Sequence, residues 1–445
     1  MKVSTLLGYC FFALWIFLLV DGIFPQLQIA LWGGRVLIPS VVLKLILLLA
    51  LFVSAVVLAR RRVAAPQRIA LLWWIFIAYL LANLLALTVR FSYPLDYLLF
   101  SYNAYYFFLI VVPLMFFLSG ILSERMAVFW LVLLFLPLAT LGIAQNFLGD
   151  PLLPTASADA FFEVFSWSFY GEVRAFSLFG SASKFGHYIA LVGALGISFL
   201  YSEKLEAKAA GLVLTILVLA AGFATLTRAT YMEILMTLFA AWLLVRPRGT
   251  LLKYLVSLLP LVYGVTGAFV AFALPSWITV ASNRSPLLSD NTLLMRYASW
   301  DTYGGLWMES DLFAKLFGMG IIQNNRFPVT ENVLIDNSFL ALLIHIGLLG
   351  LMVWLMLMWA LWRYVLRVAI SHGSPLAVAI AAIWSTWMAT GVFGITTEGY
   401  PLLLVLLLLS SVGGKAEAFR KRNPWEENLQ SRRSESNHSS CWQKA

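Results

Sequence analysis

The sequence predicts an all-α integral membrane protein of about 12 transmembrane helices with two long outer loops. Three observations carry this. Of the 445 residues, 62% are hydrophobic. Only 11% are charged, 30 Lys and Arg against 21 Asp and Glu, where a soluble protein carries about 25%. The apolar residues also gather into stretches long enough to cross a bilayer, which takes about 20 residues per helix. A soluble chain of this length would be two or three domains with charged surfaces. The composition excludes an ordinary cytosolic enzyme.

Twelve stretches qualify: about 5–22, 38–59, 69–89, 98–120, 127–147, 187–201, 209–226, 229–245, 254–274, 337–362, 376–394 and 400–414. The first begins after Lys2 and is followed by Asp21-Gly22-Ile23-Phe24-Pro25-Gln26, which offers no small-residue cleavage site. It reads as a membrane helix and not as a removed signal peptide. The chain therefore divides into helices 1–5 (1–147), an outer loop (148–186), helices 6–9 (187–274), a long outer loop (275–336), helices 10–12 (337–414) and a polar tail (415–445). The tail has little to bury and is expected to be disordered and cytoplasmic.

Basic residues set the orientation. With the N-terminus in the cytoplasm, the inner segments hold Lys2, the cluster Arg60, Arg61, Arg62 and Arg68, then Arg125, Lys204, Lys208, Arg246, Arg248, Lys253, Arg363 and Arg367, and the basic residues of the tail. The net charge of +9 is thus mainly a topology signal, and nucleic-acid binding loses its motive. Two cysteines, Cys10 and Cys441, make neither a disulfide framework nor a metal knuckle. No clustered Asp, Glu and His set suggests a metal, and no cofactor is expected.

Loops as long as the two outer ones usually carry function. In the first, Arg174 leads into Phe179-Gly180-Ser181-Ala182-Ser183-Lys184-Phe185-Gly186. Ser181 and Ser183 are positioned to cap the sixth helix, whose N-terminus attracts anions, with Arg174 and Lys184 beside it. A Gly/Ser-rich re-entry into the membrane would read the same way. Arg228 sits between two apolar helices with no loop to solvate it, and Glu233 follows inside the eighth span. A charge there is expensive and is normally paired or faces a polar cavity. A structural Arg228–Glu233 pair and a functional Arg228 both satisfy that demand.

In the second loop, the spacing of Leu294, Tyr297, Ala298 and Asp301 predicts an amphipathic helix over about 291–308, and a short one over 310–317 ending at Gly318. Arg296 and Trp300 lie on the first. Arg296 suits an anion, or a salt bridge with Asp301. Asp336-Asn337-Ser338 opens the tenth helix. Each is a good N-cap residue, and Asp336 is also placed to act as a carboxylate base. His345, nine residues on, serves equally as a helix–helix contact.

Four segments in order resemble the bacterial O-antigen ligase and O-antigen polymerase superfamily over about 170–350. They are Arg174 with Phe179-Gly180 and Phe185-Gly186; Thr227-Arg228-Ala229; Arg296 and Trp300 with Leu316-Phe317-Gly318-Met319-Gly320; and Asp336-Asn337 leading to Gly347-Leu348-Leu349-Gly350. The resemblance implies a GT-C-like membrane glycosyltransferase acting on lipid-linked sugars at the outer face of the bacterial inner membrane. Ligases of that family place His before the Asn and an acidic residue nine positions after it. Here Asp336 takes the first place and His345 the second, which points to the polysaccharide polymerase branch.

On this resemblance the substrate is a polyprenyl-diphosphate-linked oligosaccharide, polymerised into an exopolysaccharide or O-antigen by an inverting, metal-independent reaction. Arg174, Arg228 and Arg296 would neutralise the diphosphate, Lys184, Ser181, Asn337 and Trp300 would bind substrate, and Asp336 would take the acceptor proton. Trp167, Tyr170, Tyr303 and Trp307 are candidates for stacking on sugar rings or for anchoring at the lipid interface. Membrane lipids, a chain-length regulator and polysaccharide export proteins are the partners expected. An O-antigen ligase, a flippase for the lipid-linked oligosaccharide and a scaffold in an export complex are the competing readings.

Overall fold

The computed structural model describes residues 40–58, 66–92, 103–118, 123–150, 172–179, 181–246, 250–272, 291–320, 337–372 and 374–390, with isolated positions elsewhere. Among these residues the protein is all-helical, apart from an antiparallel pair of two-residue strands, β1 (Ser168–Phe169) and β2 (Glu172–Val173). The helices are α1 (Ser40–Leu58), α2 (Gln67–Phe91), α3 (Asn103–Phe117), α4 (Glu124–Leu148), α5 (Ala182–Leu200), α6 (Leu205–Ala224), α7 (Arg228–Val245), α8 (Thr250–Phe272), α9 (Asn291–Glu309), α10 (Leu312–Phe317), α11 (Ser338–His372) and α12 (Pro375–Thr390). Six are long and apolar enough to cross a membrane: α2, α4, α5, α6, α7 and α11.

Ten of the twelve predicted spans coincide with helices α1–α8, α11 and α12. The first and last spans and the tail lie outside the described residues, apart from isolated helical positions. Outward faces are apolar: Leu85 and Val89 on α2 and Phe223 on α6 are well exposed. Water would not tolerate so continuous an apolar surface, whereas hydrocarbon matches it.

The core forms around α5, the most buried of the six spans. Its residues Tyr188 to Gly196 are all buried. α6, α7 and α12 pack on it, and α4 closes the side facing α6. Small residues allow this density. A side chain at Gly186 would run into Thr230 of α7, so these two helices meet backbone to side chain. α12 bridges the bundle, touching α5, α7, α8 and α11.

Several boundaries differ from the sequence reading, the largest being the end of α11 at His372, ten residues beyond the predicted 362, and two differences bear on the site. α5 begins at Ala182, five residues before the predicted 187, because Ser181 caps it with a hydroxyl that accepts from the Lys184 amide at 3.3 Å. The tenth span is not one continuous helix. At Gly347 the backbone turns to φ 67°, ψ −177°, which breaks α11 into an outer and an inner part.

Candidate functional site

Residues 172–179, which lead into α5, are held against the bundle by side chains of α4. Gln145 is fully buried. Its Oε1 accepts from the amides of Phe176 (3.2 Å) and Ser177 (2.7 Å), and its Nε2 donates to the Ser177 carbonyl at 3.1 Å. Asn146 donates to the Val173 carbonyl at 2.7 Å. The Ala175 amide donates to the carbonyl of Ala224 at the end of α6 (2.9 Å). Ala175, Phe176, Ser177 and Phe179 are buried as a result.

That anchoring places Arg174 beside the N-termini of α5 and α7. α5, α6 and α7 run alternately up and down, so α5 and α7 begin at the same end. Lys184 lies in the first turn of α5 and Arg228 is the first residue of α7. Arg174 is close enough to the Tyr231 hydroxyl of α7 to act on it electrostatically. Arg228 is exposed, while Arg174, Lys184 and Ser181 are half-buried. Two helix N-termini and three cationic side chains thus share one region, and each contributes positive potential.

Glu233 does not serve as the partner offered to Arg228 by the sequence. Its Oε1 lies 2.5 Å from Nδ1 of His187 on α5. His187 was not singled out in the sequence. The signal lay in register: His187 and Glu233 are each the sixth residue of helices that begin side by side.

A second unit holds Arg296, Trp300 and Asn337. α9 and α10 coincide with the two predicted loop helices, and both pack against α11. The side chain of Arg296 lies outside the described residues. Trp300 and Tyr303 are buried, and Tyr303 joins Ala314, Met319 and Ile344 in a small apolar core. Burial pushes the Tyr303 phenol above its usual range. These two rings pack within the protein and do not offer free faces to a sugar. Trp307 is half-buried against the same core.

Asn337 caps α11, its Oδ1 accepting from the amides of Phe339 (3.0 Å) and Leu340 (3.1 Å), and it is buried. The capping role open to Asp336 is thereby filled by its neighbour. Asp336, Gly180, Trp167 and Tyr170 lie outside the described residues.

The break in α11 is sealed from two sides. The Met319 amide donates to the Ile344 carbonyl at 2.7 Å and the Gly320 amide to the His345 carbonyl at 3.2 Å. From α2, the Tyr79 hydroxyl donates to the Ile346 carbonyl at 2.5 Å, and Asn83 Nδ2 donates to the Phe317 carbonyl. A Cβ on Gly318 would collide with the backbone of His345 and Gly347, and one on Gly347 with that of Leu316 and Gly318. The Gly318-Met319-Gly320 and Gly347 segments are thus a mutual backbone contact. At the C-terminal end of α2, Arg90 pairs with Asp311 and lies 4.8 Å from the centre of the Phe313 ring. Asp311 caps α10 by accepting from the Ala314 amide at 2.8 Å.

Comparison of the sequence with models of protein families and with curated proteins finds no match. Among the described residues no group of three or more His, Cys, Asp and Glu is arranged to hold a metal ion.

Proposed function

We propose that the protein is a membrane glycosyltransferase that polymerises polyprenyl-diphosphate-linked oligosaccharide repeat units into an exopolysaccharide or O-antigen at the outer face of the bacterial inner membrane. The observation that supports it best is the gathering of Arg174, Lys184 and Arg228 around the paired N-termini of α5 and α7. A diphosphate leaves readily once its charge is neutralised, and guanidinium groups bind phosphate oxygens in bidentate fashion. Such stabilisation of developing charge is worth roughly 3–4 kcal/mol per well-placed group. In this reading the cations do the work that a divalent ion does in other glycosyltransferases.

The donor is a growing glycan on its lipid diphosphate, and the acceptor is a sugar hydroxyl of another lipid-linked unit. The hydroxyl attacks the anomeric carbon in line with the departing diphosphate, which inverts the configuration. The acceptor proton must go to a base, for which the sequence offers Asp336. Arg296 would complete the anion site from the second outer loop. A twelve-span, GT-C-like bundle with cytoplasmic termini and periplasmic loops is the architecture this reading requires.

Arg174→Ala, Arg228→Ala and Arg296→Ala variants, expressed at parental levels in cells lacking the native protein, are expected to accumulate single repeat units and make no polymer. Parental polymer from all three would reject the diphosphate site.

One observation favours a second reading. Transporters build substrate sites from discontinuous helices, and α11 is broken at Gly347 with His345 beside the break. A flippase for the same lipid-linked unit would export no repeat units when deleted, whereas a polymerase null still exports single ones.

A further inference from the structure

The pair formed by His187 and Glu233 is not used by the diphosphate site. Both residues are the sixth of their helices, so they lie at one depth, about 8 Å beneath the first residues of α5 and α7 at 1.5 Å per residue. The side chains are 12% and 4% exposed. The close approach at Gly186 and Thr230 already fastens α5 to α7 at this level. An ion pair adds little to that fastening, since desolvating two charges offsets most of their attraction. Ionisable groups inside a membrane bundle instead mark proton or substrate paths.

We propose that His187, oriented by Glu233, accepts the proton of the attacking sugar hydroxyl, in place of Asp336; this rests on the polymerase reading above. Glu233 holds the Nδ1 side of the ring, which leaves the Nε2 lone pair as the acceptor. His187 is the more exposed of the two side chains, so it is the one a substrate reaches. In the step, the hydroxyl oxygen forms a bond to the anomeric carbon of the donor. The bond from that carbon to the phosphate oxygen breaks, and its electron pair leaves with the polyprenyl diphosphate. The hydroxyl proton moves to Nε2, and Glu233 stabilises the imidazolium as a carboxylate does in hydrolase triads. The imidazolium then returns its proton to water.

Among the described residues, the charged and titratable groups at this end are Asp150 just after α4, Glu172 on β2, Arg174, Lys184, Arg228 and Tyr231, with Tyr188 beside His187 but bound to the Leu131 carbonyl. α12, which packs on both helices, brings Ser385 and Thr386 and nothing that titrates. Glu124 and Arg125 of α4, Glu206 and Lys208 of α6, and Lys253 of α8 lie at the opposite ends of their helices. Tyr263 of α8 is bound to the Met236 carbonyl, one turn deeper on α7.

The test uses the purified full-length protein with lipid-linked repeat units extracted from cells that lack it, and polymer is sized across a pH range. His187→Gln keeps a hydrogen-bonding side chain but removes the base. It should lower kcat by about 10²–10⁴-fold with little change in KM. His187→Gly, monodisperse in detergent, should recover rate with added imidazole. His187→Gln working at the parental rate across the pH range, with Asp336→Asn inactive, would overturn the proposal and return the base to Asp336. A folded His187→Gly that imidazole does not rescue would also count against it. A parent that makes no polymer removes the polymerase reading and the proposal together.

Discussion

Gln145 is the residue on which the first outer loop depends. Replacing it with Leu keeps the volume and removes three hydrogen bonds to Phe176 and Ser177. The site is fully buried, so water does not substitute for the lost partner. At a net of roughly 1 kcal/mol per bond the loop loses about 3 kcal/mol, and its open population rises by about 10²-fold. Gln145→Glu is a sharper probe. It keeps an acceptor for the two amides but has no donor for the Ser177 carbonyl, and it buries a carboxylate. Hydrogen–deuterium exchange of the purified protein in micelles, followed over residues 174–179, reads the opening directly. Faster exchange there, with α12 unchanged, is the expected result, and on the proposed polymerase function polymer yield should fall with it because Arg174 loses its station. Unaltered exchange over 174–179 in Gln145→Leu would show that the loop is held by apolar packing of Phe176 and Phe179 alone.

Three further predictions concern the other contacts. Gly347→Ala must adopt a backbone conformation that is almost confined to glycine, at a cost of about 1–3 kcal/mol before any collision, and its methyl meets the backbone of Leu316 and Gly318. The variant should lose thermal stability in detergent, and a parental melting temperature would disprove the close contact. Gly186→Ala should separate α5 from α7 and lower stability, and Thr230→Gly in the same chain should restore much of the loss, as read by thermal unfolding of both variants; no rescue would place the collision elsewhere. The Asp311 carboxyl is held below its usual range by the Ala314 amide and then by Arg90. Its cap is therefore complete above the ordinary carboxylate range and is lost as pH falls through the lowered value. The protection factor of the Ala314 amide, corrected for the intrinsic pH dependence of exchange, should fall on acidification in the parent, while in Asp311→Asn, which keeps an acceptor for the cap without a charge, it should stay flat.

The spans were legible because their signal is additive: a run of twenty apolar residues announces itself whatever it packs against. The loop helices α9 and α10 were legible from spacing and from the stop at Gly318. The three cations at the starts of α5 and α7 were legible in part, since Arg174, Lys184 and Arg228 stood out against a chain with few charges. Three things were not. The His187–Glu233 pair needs the relative register of two helices separated by a third, and no local pattern encodes it. The support from Gln145 was invisible because an amide in an apolar helix looks like a blemish until its partners are known. Gly347 belonged to a recognisable segment, but the break arises from contact with Gly318 and α2, distant in sequence. For the same reason Trp300 and Tyr303 looked available for sugar, whereas tertiary packing covers them.

The break in α11 also bears on how the chain is assembled. The outer part, Ser338 to Ile346, is only about 14 Å long at 1.5 Å per residue, less than half a bilayer's hydrocarbon. It is not able to enter the membrane as an independent span. The carbonyls at its end require donors, and Tyr79 supplies one from 267 residues earlier in the chain. A ribosome will have delivered α2 long before its counterpart exists. α2 must therefore wait in the bilayer with Tyr79 and Asn83 turned to temporary partners, until the last third of the protein arrives to claim them.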